Sequence, residues 1–167
     1  MVGKIEYDFL NWKSFPSSLK LTNKNPSDWV YGPYSAIIPI IPSSIISVKV
    51  QVKQENVIPP NPSHVLIGGW NGEKWIDIPA KRETPFGTFD WASFDFYNTQ
   101  IYPDTQALRV HVSGGGGRPE TPGITWFDDL RIYRNDVLIY SNDFSNWAPI
   151  IIPTEIITGV VAIKFIK

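Results

Sequence analysis

In Ile46-Ser47-Val48-Lys49-Val50-Gln51-Val52-Lys53 every second residue is apolar and β-branched, and the residues between are polar. A strand turns successive side chains to opposite faces, so this pattern sets one face against a core and the other toward solvent. Period-two stretches recur along the chain and 3.6-residue periods do not, which predicts an all-β domain. His64 to Trp70 and Lys74 to Ile78 read as a hairpin joined around Asn71-Gly72, a dipeptide suited to a tight turn, with Trp70 and Trp75 flanking it. Phe89 to Tyr97 reads as one strand with Phe94 and Phe96 inward and Trp91, Ser93 and Asp95 outward. Ala107 to Ser113 turns Leu108, Val110 and Val112 inward and Arg109 and His111 outward. Arg134-Asn135-Asp136-Val137 predicts a turn into a partner strand over Val137 to Ser141, and Ile150 to Pro153 and Thr158 to Ile166 suggest further β structure. Short strands punctuated by Gly and Pro close two sheets over one interior, as in a sandwich or jelly roll.

A chain of 167 residues, 43% hydrophobic and 14% aromatic, can bury a full core as a single domain spanning 1–167. Its longest apolar runs are too short and interrupted to span a membrane. The 15 basic residues against 16 acidic ones give a net charge of -1, so no bulk attraction to nucleic acid or anionic lipid is expected. The absence of Cys excludes disulfides, thiolate metal sites and cysteine nucleophiles. Met1-Val2-Gly3-Lys4 lacks the charged and apolar regions of a secretion signal. Abundant Ile, 15 Pro and 1 Met suit a heat-adapted protein. Tyr7-Asp8-Phe9-Leu10-Asn11-Trp12 and Asn142-Asp143-Phe144-Ser145-Asn146-Trp147 share a pattern, and the two ends are expected to pack as related turns.

Two adjacent carboxylates stand inside the alternating segment Ile124-Thr125-Trp126-Phe127-Asp128-Asp129-Leu130-Arg131-Ile132-Tyr133. Unbroken alternation puts Asp128 on one face with Trp126, Leu130 and Ile132, and Asp129 on the other with Phe127 and Arg131. One carboxylate then points at an apolar layer, where it needs a cation, hydrogen-bond donors or a proton. Ser113-Gly114-Gly115-Gly116-Gly117-Arg118-Pro119-Glu120-Thr121-Pro122-Gly123, just before it, is expected to be a mobile or specially shaped surface loop that packs little.

These segments carry a resemblance. The Gly-rich loop leading into the Asp-Asp strand, the central Gly87-Thr88-Phe89-Asp90-Trp91-Ala92-Ser93-Phe94 and the strand Leu108-Arg109-Val110-His111-Val112 resemble the jelly-roll carbohydrate-binding modules, particularly families four, sixteen and twenty-two, over Ile5 to Tyr140. The resemblance implies a β-sandwich jelly roll of two antiparallel sheets and non-catalytic binding of a polysaccharide or oligosaccharide such as a β-linked glucan, xylan or mannan. It also implies an extracellular accessory role, attached to a catalytic domain in a longer parent chain. It further implies a structural calcium at Asp128, with Glu6 or Asp8 bringing a second carboxylate. Ca²⁺ takes about six to eight oxygen ligands, so an acidic pair alone does not suffice, and the alternative is that Asp128 accepts backbone donors or pairs with Arg.

A pyranose packs its C–H face on an indole or phenol ring and offers hydroxyls to polar groups at its edge. Trp91, Asp95, Arg109 and His111 are expected to project from one side of a sheet, with Trp70, Asn71 and Trp75 near a rim and Trp29, Tyr31 and Tyr34 at another. The alternative for any one of these aromatics is a place in the core. An enzyme finds less support. Asp128 and Asp129 point apart, Asp77, Glu83, Asp90, Asp95 and Glu120 show no acid–base spacing, and His64 and His111 lack zinc-ligand spacing. The competing reading is a structural or assembly β-sandwich, viral or from a surface filament, that pairs its C-terminal Ile-rich strand with a neighbour.

Overall fold

The computed structural model describes residues 3–35, 37–144 and 150–151. All regular elements among them are strands: β1 (Gly3–Asp8), β2 (Ser18–Asn23), β3 (Val30–Tyr34), β4 (Ile38–Pro39), β5 (Ile45–Val57), β6 (His64–Trp70), β7 (Trp75–Glu83), β8 (Gly87–Ser93), β9 (Phe96–Gln100), β10 (Ala107–Gly114), β11 (Gly123–Arg134), β12 (Val137–Asn142) and β13 (Ile150–Ile151). They form two antiparallel sheets, one of 8 strands centred on β5 and β11 and one of 5 strands centred on β10 and β6. The alternation in β5 is realised as read: Ile46, Val48, Val50 and Val52 are fully buried against Leu19, Leu21, Ile67, Leu108 and Phe127. Thr158 to Ile166 lie outside the described residues, while Ile150–Ile151 pair with β12.

The segment read as one strand over Phe89 to Tyr97 is two. β8 and β9 both pair with β5, and the break between them lets Phe89, Phe94 and Phe96 all pack on the core. The turn before β12 holds Asn135 at φ 46° and Asp136 at φ 66°, both left-handed as a tight hairpin turn requires. Leu10 N–H donates to Asp8 Oδ1 and Phe144 N–H to Asn142 Oδ1, so each segment turns on a side-chain oxygen two residues back, but one position out of step with the shared pattern, and residues 145–147 of the second segment lie outside the described residues. Ser17 Oγ then donates to the Phe144 carbonyl at 2.7 Å, tying the ends together.

The Asp-Asp strand departs from simple alternation. One edge of β11 is shared: β2 covers Gly123 to Phe127 and β12 covers Leu130 to Arg134. Between them β11 bulges, with Asp128 opposite Gln51 and Arg131 opposite Lys49, and Asp129 takes the left-handed φ of 48°. The extra residue inverts the phase, as a bulge must. Phe127, Leu130 and Ile132 therefore face the core, and Asp128 joins Trp126 on the outer face. The expectation that Asp128 shares a face with Leu130 and Ile132 is thus corrected.

The glycine loop is also corrected in one respect. Gly114 to Gly117 are buried, and only Arg118 to Thr121 stand exposed. A Cβ on Gly116 would lie 2.0 Å from the Asn25 carbonyl oxygen, and one on Gly115 would lie 2.6 Å from that of Asn61. The backbone is the packing surface here, fixed by Ile58 N–H to Gly116 O at 2.9 Å and Gly117 N–H to Asn23 O at 3.1 Å. Gly116→Ala is expected to cost about 2 kcal/mol or more, since main chain rather than a flexible side chain must yield; a denaturant titration against the parent chain checks this.

Candidate functional site

The outer face of the five-stranded sheet collects most of the residues singled out from sequence. Along β10, Arg109 and His111 point away from the core that Leu108, Val110 and Val112 enter. On β6, His64 and Trp70 share that face, and the register sets Trp70 opposite Trp75 of β7. The two indoles lie 5.4 Å apart between centroids, tilted by 53°. Arg109 lays its guanidinium over Trp75 with Cζ 4.0 Å from the ring centroid. Gly68 sits opposite both Arg109 and Asp77, and a Cβ there would lie 3.8 Å from Arg109 Nε and 3.9 Å from the Trp75 ring, so Arg109 crosses directly over this glycine. Toward the other end of the face, Tyr31 stacks on His111 at 5.2 Å and 17°, and Trp29 meets His64 edge-on at 5.6 Å. The two ring clusters, both partly exposed, border a strip of Leu66, Gly68 and Arg109.

Not every candidate belongs to this face. Asn71 serves the hairpin: its Oδ1 accepts the Glu73 and Lys74 amides at 3.0 and 2.9 Å, closing the turn between β6 and β7. Trp91 and Asp95 lie at β8 and just before β9, on the edge of the eight-stranded sheet. Asp95 there accepts hydrogen bonds from Ser93 Oγ and Tyr97 Oη. The side chains of Tyr34 and Asp77 lie outside the described part of the structure. Sequence reasoning left His64 and Trp29 off the main cluster. Cross-strand register is the missing signal: His64 and His111, 47 positions apart in the chain, have rings 6.3 Å apart.

On the opposite outer face Tyr97 stands 56% exposed, but Trp126 is covered. Trp126 is only 3% exposed, under Lys20 and Lys53, whose ammonium groups lie 5.6 and 5.3 Å from the ring centroid. Its Nε1–H donates to Asp8 Oδ2 at 2.8 Å. Asp8 also accepts the Leu10 and Asn11 amides and Asn11 Nδ2; burial pushes its pKa up, but these donors outweigh that and bring it down to about 2. Asp128 is fully buried, and its oxygens accept Lys13 N–H (2.6 Å), Ser14 N–H (2.8 Å), Ser14 Oγ–H and its neighbour's amide at Asp129 (2.6 Å). Burial raises its pKa above the usual carboxylate range, and the Ser14 and Lys13 donors offset that only in part. Glu6 pairs with Lys4 and, at 3.4 Å, with Lys20. The three carboxylates assigned to calcium by resemblance are therefore turned toward N–H, O–H and ammonium donors. Their oxygens are already engaged by these donors and are not gathered as an oxygen cage, which does not fit a divalent cation.

No protein-family model matches the chain, and no curated protein matches it in sequence. Solved structures do match. The enzymatically active domain of bacteriophage CBA120 tailspike protein 4 is similar over 79% of this chain with a TM-score of 0.56 at 11% identity. The chain spans only 17% of that domain's length. A carbohydrate-binding module of family four is similar over 80% of this chain and 79% of its own, with a TM-score of 0.50 at 17% identity. A family-thirty module of a Clostridium thermocellum cellulosomal cellulase has a TM-score of 0.49 at 13% identity, over 80% of this chain and 83% of its own. The chain has the jelly-roll fold of the carbohydrate-binding modules.

Within this jelly roll the histidine pair responds to mild acid, at higher pH than the Asp8 carboxylate. His64 and His111 are 5% and 6% exposed, and Nδ1 of His64 is buried without a hydrogen-bond partner. Burial, then the nearby Lys81 and His111, pulls the His64 pKa down to about 4, against a smaller opposing effect of Glu83; burial and then Arg109 lower that of His111. Below the unfolded value of 6.5 the unfolded chain takes protons that folded His64 refuses, so stability falls as pH drops from about 6.5 toward about 4. The loss attributable to His64 is on the order of 3 kcal/mol. His64→Phe should flatten this window. Urea midpoints at pH 7 and pH 4.5 test it, and an unchanged slope in the variant would contradict the assignment.

Proposed function

We propose that this chain is a non-catalytic module that binds a polysaccharide across the outer face of its five-stranded sheet. The observation that carries the reading is the partly exposed pair Trp70 and Trp75, with Arg109 lying across one indole on a rigid β-scaffold. Indole faces take the C–H side of a pyranose, and a guanidinium beside them supplies donors to ring hydroxyls. Tyr31, His111 and Trp29 extend the same face, so several consecutive sugar units of one chain would be accommodated. The fold likeness to carbohydrate-binding modules supports this reading. An extracellular setting and attachment to a glycan-active enzyme belong to the same proposal. No acid–base pair is needed for it, since the carboxylates assembled on the opposite face hold the structure together rather than flank a cleft.

Trp75→Ala is expected to weaken binding about 10-fold or more and Arg109→Ala by a similar factor, with small changes in melting temperature. Trp91→Ala, in the other sheet, should leave affinity unchanged. Affinity electrophoresis across glucans, xylans and mannans followed by calorimetry measures all three. No retention on any glycan, together with concentration-dependent oligomers that vanish when Thr158 to Lys167 are deleted, would instead favour an assembly protein.

A further inference from the structure

The edge of β11 has a gap where β2 has ended and β12 has not begun, and the segment from Phe9 to Ser17 passes over it. This segment has no ladder of its own. Its Lys13 and Ser14 amides both point into the gap, at Asp128 Oδ2, and Ser14 Oγ–H points at Oδ1. We propose that Asp128 is an anionic anchor for this segment, doing by hydrogen bonds what a bound cation would otherwise do, so that the fold is independent of divalent cations. Three features support the assignment. Every donor to Asp128 except Asp129 N–H comes from the anchored segment, so the carboxylate substitutes for a strand partner rather than serving its own strand. Asp8, at the start of the segment, is committed in the same sense, accepting from Leu10, Asn11 and Trp126. Lys20, 3.8 Å from Asp8 Oδ2, and Lys53 both lie over Trp126, so a metal beside Asp8 would meet like charge.

The anchored segment also carries its own reporter. Phe9, Leu10, Trp12 and Phe15 are exposed at 63%, 91%, 41% and 76%, so chymotrypsin can reach these residues once the backbone between them is free to move. The test compares the parent chain with Asp128→Asn and the milder Ser14→Ala, each in excess chelator and in excess calcium. A side-chain amide in place of the carboxylate cannot satisfy all four donors in either rotamer, because its NH₂ group must then face one of them. Asp128→Asn should therefore speed cleavage within 9–17 about 10-fold and lower the melting temperature by an equal amount with and without calcium. The parent chain should melt at the same temperature in both conditions. A cation held at a thousand times its dissociation constant would instead raise the melting temperature by roughly 10 °C. Such a shift in the parent chain, or a variant effect that appears only in calcium, would overturn the proposal; Ser14→Ala keeps the comparison available if Asp128→Asn does not fold.

Discussion

A buried carboxylate placed where two strands fail to meet is the constraint on which the eight-stranded sheet depends. β11 needs a partner along its whole edge, and β2 and β12 supply it only at the two ends. The interruption is absorbed by a bulge, by the left-handed Asp129 and by the Asp128 carboxylate, which gathers the donors of the crossing N-terminal segment. Removing an ion from water costs several kcal/mol, and here short charge-assisted hydrogen bonds from the crossing segment offset part of that cost. The bulge then decides which side chains enter the core: without it Asp129 and Arg131 would follow Phe127 inward.

The two outer faces differ in how far their indoles are buried. On the eight-stranded side Trp126 is only 3% exposed beneath Lys20 and Lys53, so its indole plane is not free. On the five-stranded side Trp70 and Trp75 are partly exposed, with Arg109 over one face of Trp75, and Tyr31 is exposed, over strands whose opposite side is the core. The aromatic residues thus have two different jobs, one set by coverage and the other by its absence.

Much of this was legible in the sequence where alternation is unbroken. β5 and β10 carry period-two patterns, and their inward and outward residues fall as that period dictates. The hairpin at Asn71-Gly72 and the turn at Asn135-Asp136 were readable because few residues adopt such backbone conformations without strain. What failed was phase and register. One extra residue at Asp128-Asp129 reverses every later side chain in β11, and nothing local announces it. The neighbours of Gly115 and Gly116 come from Asn25, Val57 and Asn61, remote in sequence, so a stretch that looked unpacked is a packing surface. The histidine contact and the separation of Trp91 from Trp75 likewise follow from strand pairing rather than from composition.

On the proposed function, ligand meets the face of Trp70 and Trp75 and not that of Trp126. Indole N–H resonances report on each Trp separately, so a titration of ¹⁵N-labelled protein with soluble β-glucan, xylan and mannan oligosaccharides tests it directly. One of these ligands should shift the Trp70 and Trp75 signals in a saturable way while Trp126 stays fixed. Saturable shifts confined to Trp12, Trp91 or Trp126, with Trp70 and Trp75 unmoved, would contradict it.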